Sequence, residues 1–140
     1  LDFWSIRMRP GKPLVFGRIN YADNVSTPYI GLPGNPVSTL VAFEILVRPA
    51  ILKMMGISTF DRPIIRAKLE DDIYNPDKRR VFARVTISKQ GSIYHARLAG
   101  PQGSNIISSF VNADGLAICP ENTTLLKKGS FAEVKILNWT

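Results

Sequence analysis

At 140 residues, 45% hydrophobic and 21% charged, the chain lies outside the apolar-poor, charge-rich range in which polypeptides stay disordered, and it is long enough for one ordinary domain or two small ones. Its formal charge of +7 favours anionic partners, but six basic against three acidic side chains over 1–56, and twelve against eight over 57–140, spread that charge evenly; the one basic run, Lys78-Arg79-Arg80, is too short to make nucleic acid a leading partner. Cys119 is the single cysteine and His95 the single histidine, which excludes an internal disulfide and argues against a zinc site; Cys119 reads as a buried apolar residue in a reducing cytosol, His95 as a strand-surface residue.

The chain opens on Leu1-Asp2-Phe3-Trp4, with no secretory signal pattern and no initiator methionine, so it is expected to begin inside an element of a longer protein. Trp4, Ile6 and Met8 alternate with Ser5, Arg7 and Arg9, which predicts a strand with one polar face. Pro10-Gly11-Lys12-Pro13 breaks it, Leu14–Phe16 is a short buried strand ending at Gly17, and the turn formers of 20–27 predict a surface loop.

Pro28–Leu32 is another short strand, followed at once by Pro33-Gly34-Asn35-Pro36. Asn35 suits a helix N-cap and Pro36 the first helical position. Strand, glycine turn and helix start form an anion-site geometry, because the first helical amides lack partners and the macrodipole is positive there. Ser38 would add a hydroxyl in the first turn; a plain strand-to-helix connection is the other reading. The helix is predicted from Pro36 to Met55, stopping at Gly56, and its near-continuous apolar residues predict burial on most sides. Glu44, Arg48, Lys53 and Pro49 oppose a membrane span, and Glu44 and Arg48, four apart, are expected to pair on a solvated stripe.

Beyond Gly56 the period changes to two. Residues 57–63 read as a linker, Ile64–Leu69 as a strand, and Glu70–Asp72 and Asn75–Lys78 as a polar turn. Val81, Ala83, Val85 and Ile87 alternate with Phe82, Arg84, Thr86 and Ser88 in a half-buried strand; Gln90-Gly91 turns it into Ser92–Leu98. After a loop at 100–105 come Leu116–Cys119 and Phe131–Leu137, the latter with Ala132, Val134 and Ile136 inward. Short strands at regular spacing predict a small open barrel or compact sheet. The expected fold class is therefore α/β plus all-β: α/β material over 1–56, a linker over 57–63 and a barrel over 64–140. A few strands and one apolar helix cannot cover each other on all sides, so most of the partner structure of the first part is expected to lie outside this chain.

Three segments carry a likeness: Arg9-Pro10-Gly11-Lys12-Pro13 with Phe16-Gly17, then Gly31-Leu-Pro-Gly-Asn-Pro-Val-Ser38, then Gly100-Pro-Gln-Gly-Ser104 leading to Ser108-Ser109. Together they resemble the molybdopterin molybdenumtransferases, the MoeA and gephyrin E-domain family, over essentially the whole chain. The resemblance implies the end of a MogA-like α/β molybdopterin-binding domain followed by a C-terminal β-barrel. It also implies a cytoplasmic, homodimeric enzyme of molybdenum cofactor biosynthesis that acts on adenylylated molybdopterin and inserts molybdate with Mg²⁺, in partnership with a molybdopterin adenylyltransferase. A non-enzymatic scaffold or interaction module of the gephyrin type is the alternative.

Residue by residue, Pro33 and Pro36 would line the cleft, Arg9 would be a basic cleft residue with Lys12 in the same turn, and Gly34, Asn35 and Ser38 would belong to the anion-holding corner. Ser104 would be a cleft residue contributed by the barrel of the same or the opposite subunit. Arg84 takes the barrel's Phe-x-Arg position, an outward strand residue being the other reading. Ser5 departs from the family's bacterial pattern, which carries a second lysine there; one cationic contact is then either absent or replaced by Arg7. Molybdate and phosphate esters are anions, which suits cations and oriented amides. Catalytic residues and Mg²⁺ ligands are expected upstream, because nothing here matches the family's Gly-Gly-x-Ser-x-Gly-x-x-Asp loop.

Overall fold

The computed structural model describes residues 1–137; the last three residues of the predicted barrel, 138–140, lie outside the described residues. Five strands close on themselves: β4 (Ile64–Leu69), β6 (Arg80–Gln90), β7 (Ile93–Leu98), β8 (Gly115–Cys119) and β10 (Phe131–Ile136) run in the order β6-β7-β4-β10-β8, and β8 returns to β6. The barrel is thus closed, where the spacing of strands left open barrel and sheet undecided. Only β4 and β7 pair parallel within it; the other neighbours are antiparallel, with Gly91 at φ +60 turning β6 into β7. Period-two alternation fills the interior with Ala67, Leu69, Val81, Ala83, Val85, Ala96, Ala117, Cys119, Ala132 and Val134. Burial raises the pKa of the Cys119 thiol. Two short strands, β5 (Ile73–Tyr74) and β9 (Leu125–Leu126), pair separately.

Gly115 lies where β8 meets both of its neighbours. A Cβ there would stand 2.7 Å from Val134 Cγ1, 2.9 Å from the Lys135 carbonyl oxygen and 3.1 Å from Ile87 Cδ1. Backbone on one side leaves little room to yield, so Gly115→Ala is expected to destabilise the fold by about 1–3 kcal/mol. A urea midpoint equal to that of the unmodified chain would show that the seam has slack.

The predicted division at residue 57 is bridged by structure. The opening segment makes only an isolated bridge, Phe3 to Phe16, before β1 (Met8–Arg9), so the predicted strand through Ser5–Arg7 is not formed and Trp4 is 73% exposed. The stretch makes single bonds to different neighbours, the Ile6 N–H to the Lys12 carbonyl at 3.0 Å and the Arg80 N–H to the Arg7 carbonyl at 2.9 Å, with no continuous ladder, and alternation alone does not make a strand. β1 joins the barrel instead, parallel to β6, with Met8 opposite Arg80 and Arg9 opposite Val81. A second core follows from this: Met8, Val37 and Val41 pack with Phe82, Leu116, Phe110 and Leu137. The outward residue Phe82 of β6 is therefore buried too, and the half-buried strand expected from alternation is buried on both faces from Val81 to Val85.

Before the helix, β2 (Val15–Asn20) and β3 (Ser26–Gly31) form a hairpin whose tip, 21–25, is the expected loop with Asn24 at φ 58; strand takes only its margins at Asn20, Ser26 and Thr27. The hairpin is largely exposed, and turn-rich composition does not prevent pairing where no core face must be filled. The helix runs as α1 (Pro36–Ala42), a π-helical stretch (Phe43–Val47) and α2 (Arg48–Met54). Pro49 explains the wide turn: its ring and missing N–H disrupt the ladder four residues back. Gly56, at φ +80, ends it; its N–H donates to the Lys53 carbonyl and that of Ile57 to the Leu52 carbonyl.

The expected Glu44–Arg48 pair is not made. Glu44 is buried and binds Arg62 through two bonds of 3.1 and 3.2 Å, while Arg48 donates to the Phe60 carbonyl at 3.0 Å. The π stretch breaks the four-residue register between them, so the linker supplies both partners. α2 buries no residue within this chain, contrary to the expectation for so apolar a helix, because one hairpin offers too little surface to cover it. No helix among the described residues is long and apolar enough to cross a membrane. A short helix, α3 (Ser108–Val111), follows the 100–105 loop and was not expected from the sequence.

Candidate functional site

Val81 pairs with both β1 and β8, and Val85 with both β8 and β7. β1 and β7 must therefore share the other edge of β6 and leave a gap between them at residues 82–84. Gln102 fills part of that gap: its side chain accepts from the Arg84 N–H at 2.9 Å and donates to the Arg84 carbonyl at 3.1 Å, as a neighbouring strand would. A cavity of about 170 Å³ opens there, lined by Arg9, Pro10, Tyr74, Phe82, Arg84 and Gln102 among others.

Arg84 is 1% exposed. Its Nε donates to Ser109 Oγ at 3.1 Å, and its Nη2 to the Pro101 and Gly103 carbonyls at 3.3 and 3.1 Å. Burial, and then the nearby charge of Arg9, lowers its pKa to about 10. No salt bridge joins it to a carboxylate among the described residues. Its side chain leaves the barrel on the outward face it shares with Phe82, but that face is covered, and the guanidinium holds the 100–105 loop in shape.

That loop carries Ser104 to the proline corner. Asn35 Nδ2 donates to Ser104 Oγ at 3.1 Å, and the Val37 N–H donates to the Ser104 carbonyl at 3.1 Å. Asn35 occupies the N-cap position with extended φ and ψ of −70 and 128, but its side chain does not cap the helix. This corrects the expected cap: the Ser104 hydroxyl draws the Asn35 amide outward, and Thr39 Oγ1 donates back to the Pro33 and Asn35 carbonyls. Pro33 and Ser38 are buried at this corner, while Gly34, Asn35 and Pro36 are exposed.

The basic turn is placed on the other flank of α1. Gly11, at φ +101, lies against the helix start, where a Cβ would come within 3.2 Å of Met8 Cε and 3.5 Å of the Ser38 carbonyl oxygen. Arg9 reaches Asp77, Nη1 to Oδ2 at 3.6 Å, and Arg79 pairs with the same carboxylate. The Arg79 hydrogen bond, helped by the charges of Arg79, Arg9 and Lys12, holds the Asp77 carboxyl below its ordinary pKa. Arg9 and Arg84 therefore share the cavity, Asn35 and Ser104 share the corner, and the 100–105 loop joins the two. Lys12 is exposed beside them and does not line the cavity. Arg79 lies in the basic run 78–80, Asp77 in the polar turn and Gln102 in the 100–104 motif, but sequence alone assigned none of them to the site. Their importance comes from the β1–β6 pairing. The arrangement offers the Arg9 cation to an anion, while at the helix start Pro36 has no N–H and the Val37 and Thr39 N–H groups are taken by the Ser104 and Asn35 carbonyls.

Residues 66–137 match the family model of the MoeA C-terminal region, domain IV. The chain belongs to the MoeA family. Residues 1–53 match a second model, a probable molybdopterin-binding domain. The MoeA-family chain is 32% identical to the molybdopterin molybdenumtransferase of Haemophilus influenzae, covering 99% of this chain and 33% of that protein. It is 34% identical to the molybdenum cofactor synthesis protein cinnamon of Drosophila melanogaster, covering 96% of this chain and 22% of that one. A crystal structure of the molybdopterin biosynthesis MoeA protein of Pyrococcus horikoshii superposes with a TM-score of 0.75 at 27% identity, covering 98% of this chain and 32% of the other. The chain thus spans about a third of the length of its MoeA-type relatives.

Proposed function

We propose that this chain supplies one wall of the substrate cleft of a molybdopterin molybdenumtransferase, which inserts molybdate into adenylylated molybdopterin. The observation that carries the reading is the contact between the proline corner and the barrel loop, Asn35 to Ser104, beside a cavity lined by Arg9 and Arg84. In this role Arg9 and Lys12 clamp an oxyanion, the Gly34 and Asn35 backbone and Ser104 donate to it, and Pro33, Pro36 and buried Ser38 shape the corner. Arg84 acts by holding the loop that presents Ser104. The two family matches support the division into 1–56, a linker over 57–63 and a barrel from 64.

The proposal extends to a cytoplasmic homodimer and to an adenylyltransferase that delivers the substrate. No group of three or more His, Cys, Asp or Glu side chains is placed to hold a metal among the described residues. The proposal assigns the Mg²⁺ ligands and catalytic groups of the parent enzyme upstream. Titrating the chain with molybdate tests the cleft, since Arg9→Ala and Lys12→Ala should each weaken binding by roughly tenfold, the worth of one charge-assisted contact. Equal affinity in all three proteins would refute the reading. Cofactor formation by the 140-residue chain alone would refute the upstream assignment.

A further inference from the structure

Parallel pairing of β1 with β6 brings together two basic segments that lie about seventy residues apart, Arg7, Arg9 and Lys12 with Lys78, Arg79 and Arg80. Arg7 and Arg80 are already engaged, Arg7 with the Lys78 carbonyl at 3.1 Å and Arg80 with Glu121 at 3.2 Å. Arg9 and Arg79 differ, since both converge on the single carboxylate of Asp77, with Lys12 also near enough to act on it. All three partners are open to solvent, the Arg9, Asp77 and Arg79 side chains being 44, 39 and 26% exposed.

We propose that Asp77 is an internal counter-ion occupying the place of a tetrahedral, phosphate-like dianion, and that Arg79 is a further ligand-binding residue beside Arg9. The inference rests on the reading of Arg9 as a cleft cation. A carboxylate brings one negative charge to a cluster of three cations, whereas a phosphoryl or tetraoxyanion group brings two, and its oxygens suit two planar guanidinium forks at once. The exchange needs no refolding. The turn is held by Asn75, whose Oδ1 accepts from the Arg79 N–H at 3.2 Å, so the Asp77 side chain can swing to water while the backbone stays. Arg9 lines the adjoining cavity, which places the dianion at its mouth.

The test is calorimetric titration of the 140-residue chain at low ionic strength with inorganic phosphate, molybdate and AMP. Asp77→Asn, with Asp77→Ser as a second variant, should bind at least one of these roughly three- to tenfold more tightly, because the competing carboxylate is gone. Arg79→Ala should weaken the same ligand by a comparable factor. A gain confined to AMP identifies the ligand as a phosphomonoester; a gain confined to phosphate or molybdate identifies a free oxyanion. Glu121→Gln removes the same charge away from Arg9, and an equal gain there would overturn the proposal in favour of bulk electrostatics. No gain in either Asp77 variant, or no loss in Arg79→Ala, also overturns it. If Arg9→Ala still loses binding in that case, the cleft reading survives alone; if Arg9→Ala is silent as well, both fall.

Discussion

Arg84→Ala is expected to lower the unfolding free energy by about 2–4 kcal/mol and to release the 100–105 loop. Two effects oppose each other at this side chain. A buried guanidinium without a salt-bridged carboxylate carries a desolvation cost, visible in its pKa near 10, and truncation relieves that cost. Against it stand three acceptors, Ser109 Oγ and the Pro101 and Gly103 carbonyls, each worth about 1 kcal/mol or more when the donor is charged, together with the volume of a side chain that is 1% exposed. The bonds and the packing outweigh the charge. Arg84→Met separates the contributions, since it restores most of the volume but none of the donors, and should recover less than half of the loss. Urea unfolding measures the total, and amide exchange at 101–105 reports the loop. An Arg84→Met chain as stable as the original would mean that desolvation wins.

Asn75→Ala is expected to cost about 3 kcal/mol. Asn75 is fully buried in what the sequence marks as a polar turn. Its Nδ2 donates to the Pro120 and Thr123 carbonyls, both at 3.0 Å, and its Oδ1 receives the Arg79 N–H, so truncation strands that N–H and takes the amide donor from two carbonyls; Pro120 keeps the Thr123 N–H at 3.2 Å, and the Thr123 carbonyl keeps the weak Cys119 Sγ donor at 3.6 Å. Asn75→Asp keeps the shape but points a carboxylate oxygen at two carbonyls; it should be worse than alanine at neutral pH, and should recover as that carboxyl protonates. Thermal melts at pH 7 and at the lowest pH the chain tolerates would show the crossover. An Asn75→Asp chain as stable as the original at neutral pH would overturn the expectation that a carboxylate facing two carbonyls is costly. The same substitutions should loosen the turn that presents Asp77 and Arg79, linking the stability of the barrel rim to the proposed anion site.

The helix shows how far local reading reaches. Pro36 at its first turn and Gly56 at its end were legible because each acts through its own backbone angles. The π stretch between them was not, and it redirected Glu44 to Arg62, eighteen residues on. The Gln90-Gly91 hairpin was legible for the same reason as the helix ends, while the burial of both faces of β6 depended on Phe110, Met8 and Leu137 arriving from distant segments. The proline corner was found by its motif. Its use of Ser104 in place of a cap became visible only once the 100–105 loop was placed beside it.

Amino-acid order alone determined the succession of short strands, the limits of the long helix and the family to which the chain belongs, because turn residues, caps and alternating periods act over a few neighbouring residues. Tertiary structure decided the closure of the barrel through β6 and β8, the burial of Arg84 beneath the 100–105 loop, and the meeting of Arg9 with Asp77 and Arg79. Those outcomes follow from which strand edges pair and in what register. That choice is made by packing the whole chain at once, and it leaves no mark in any local window of residues.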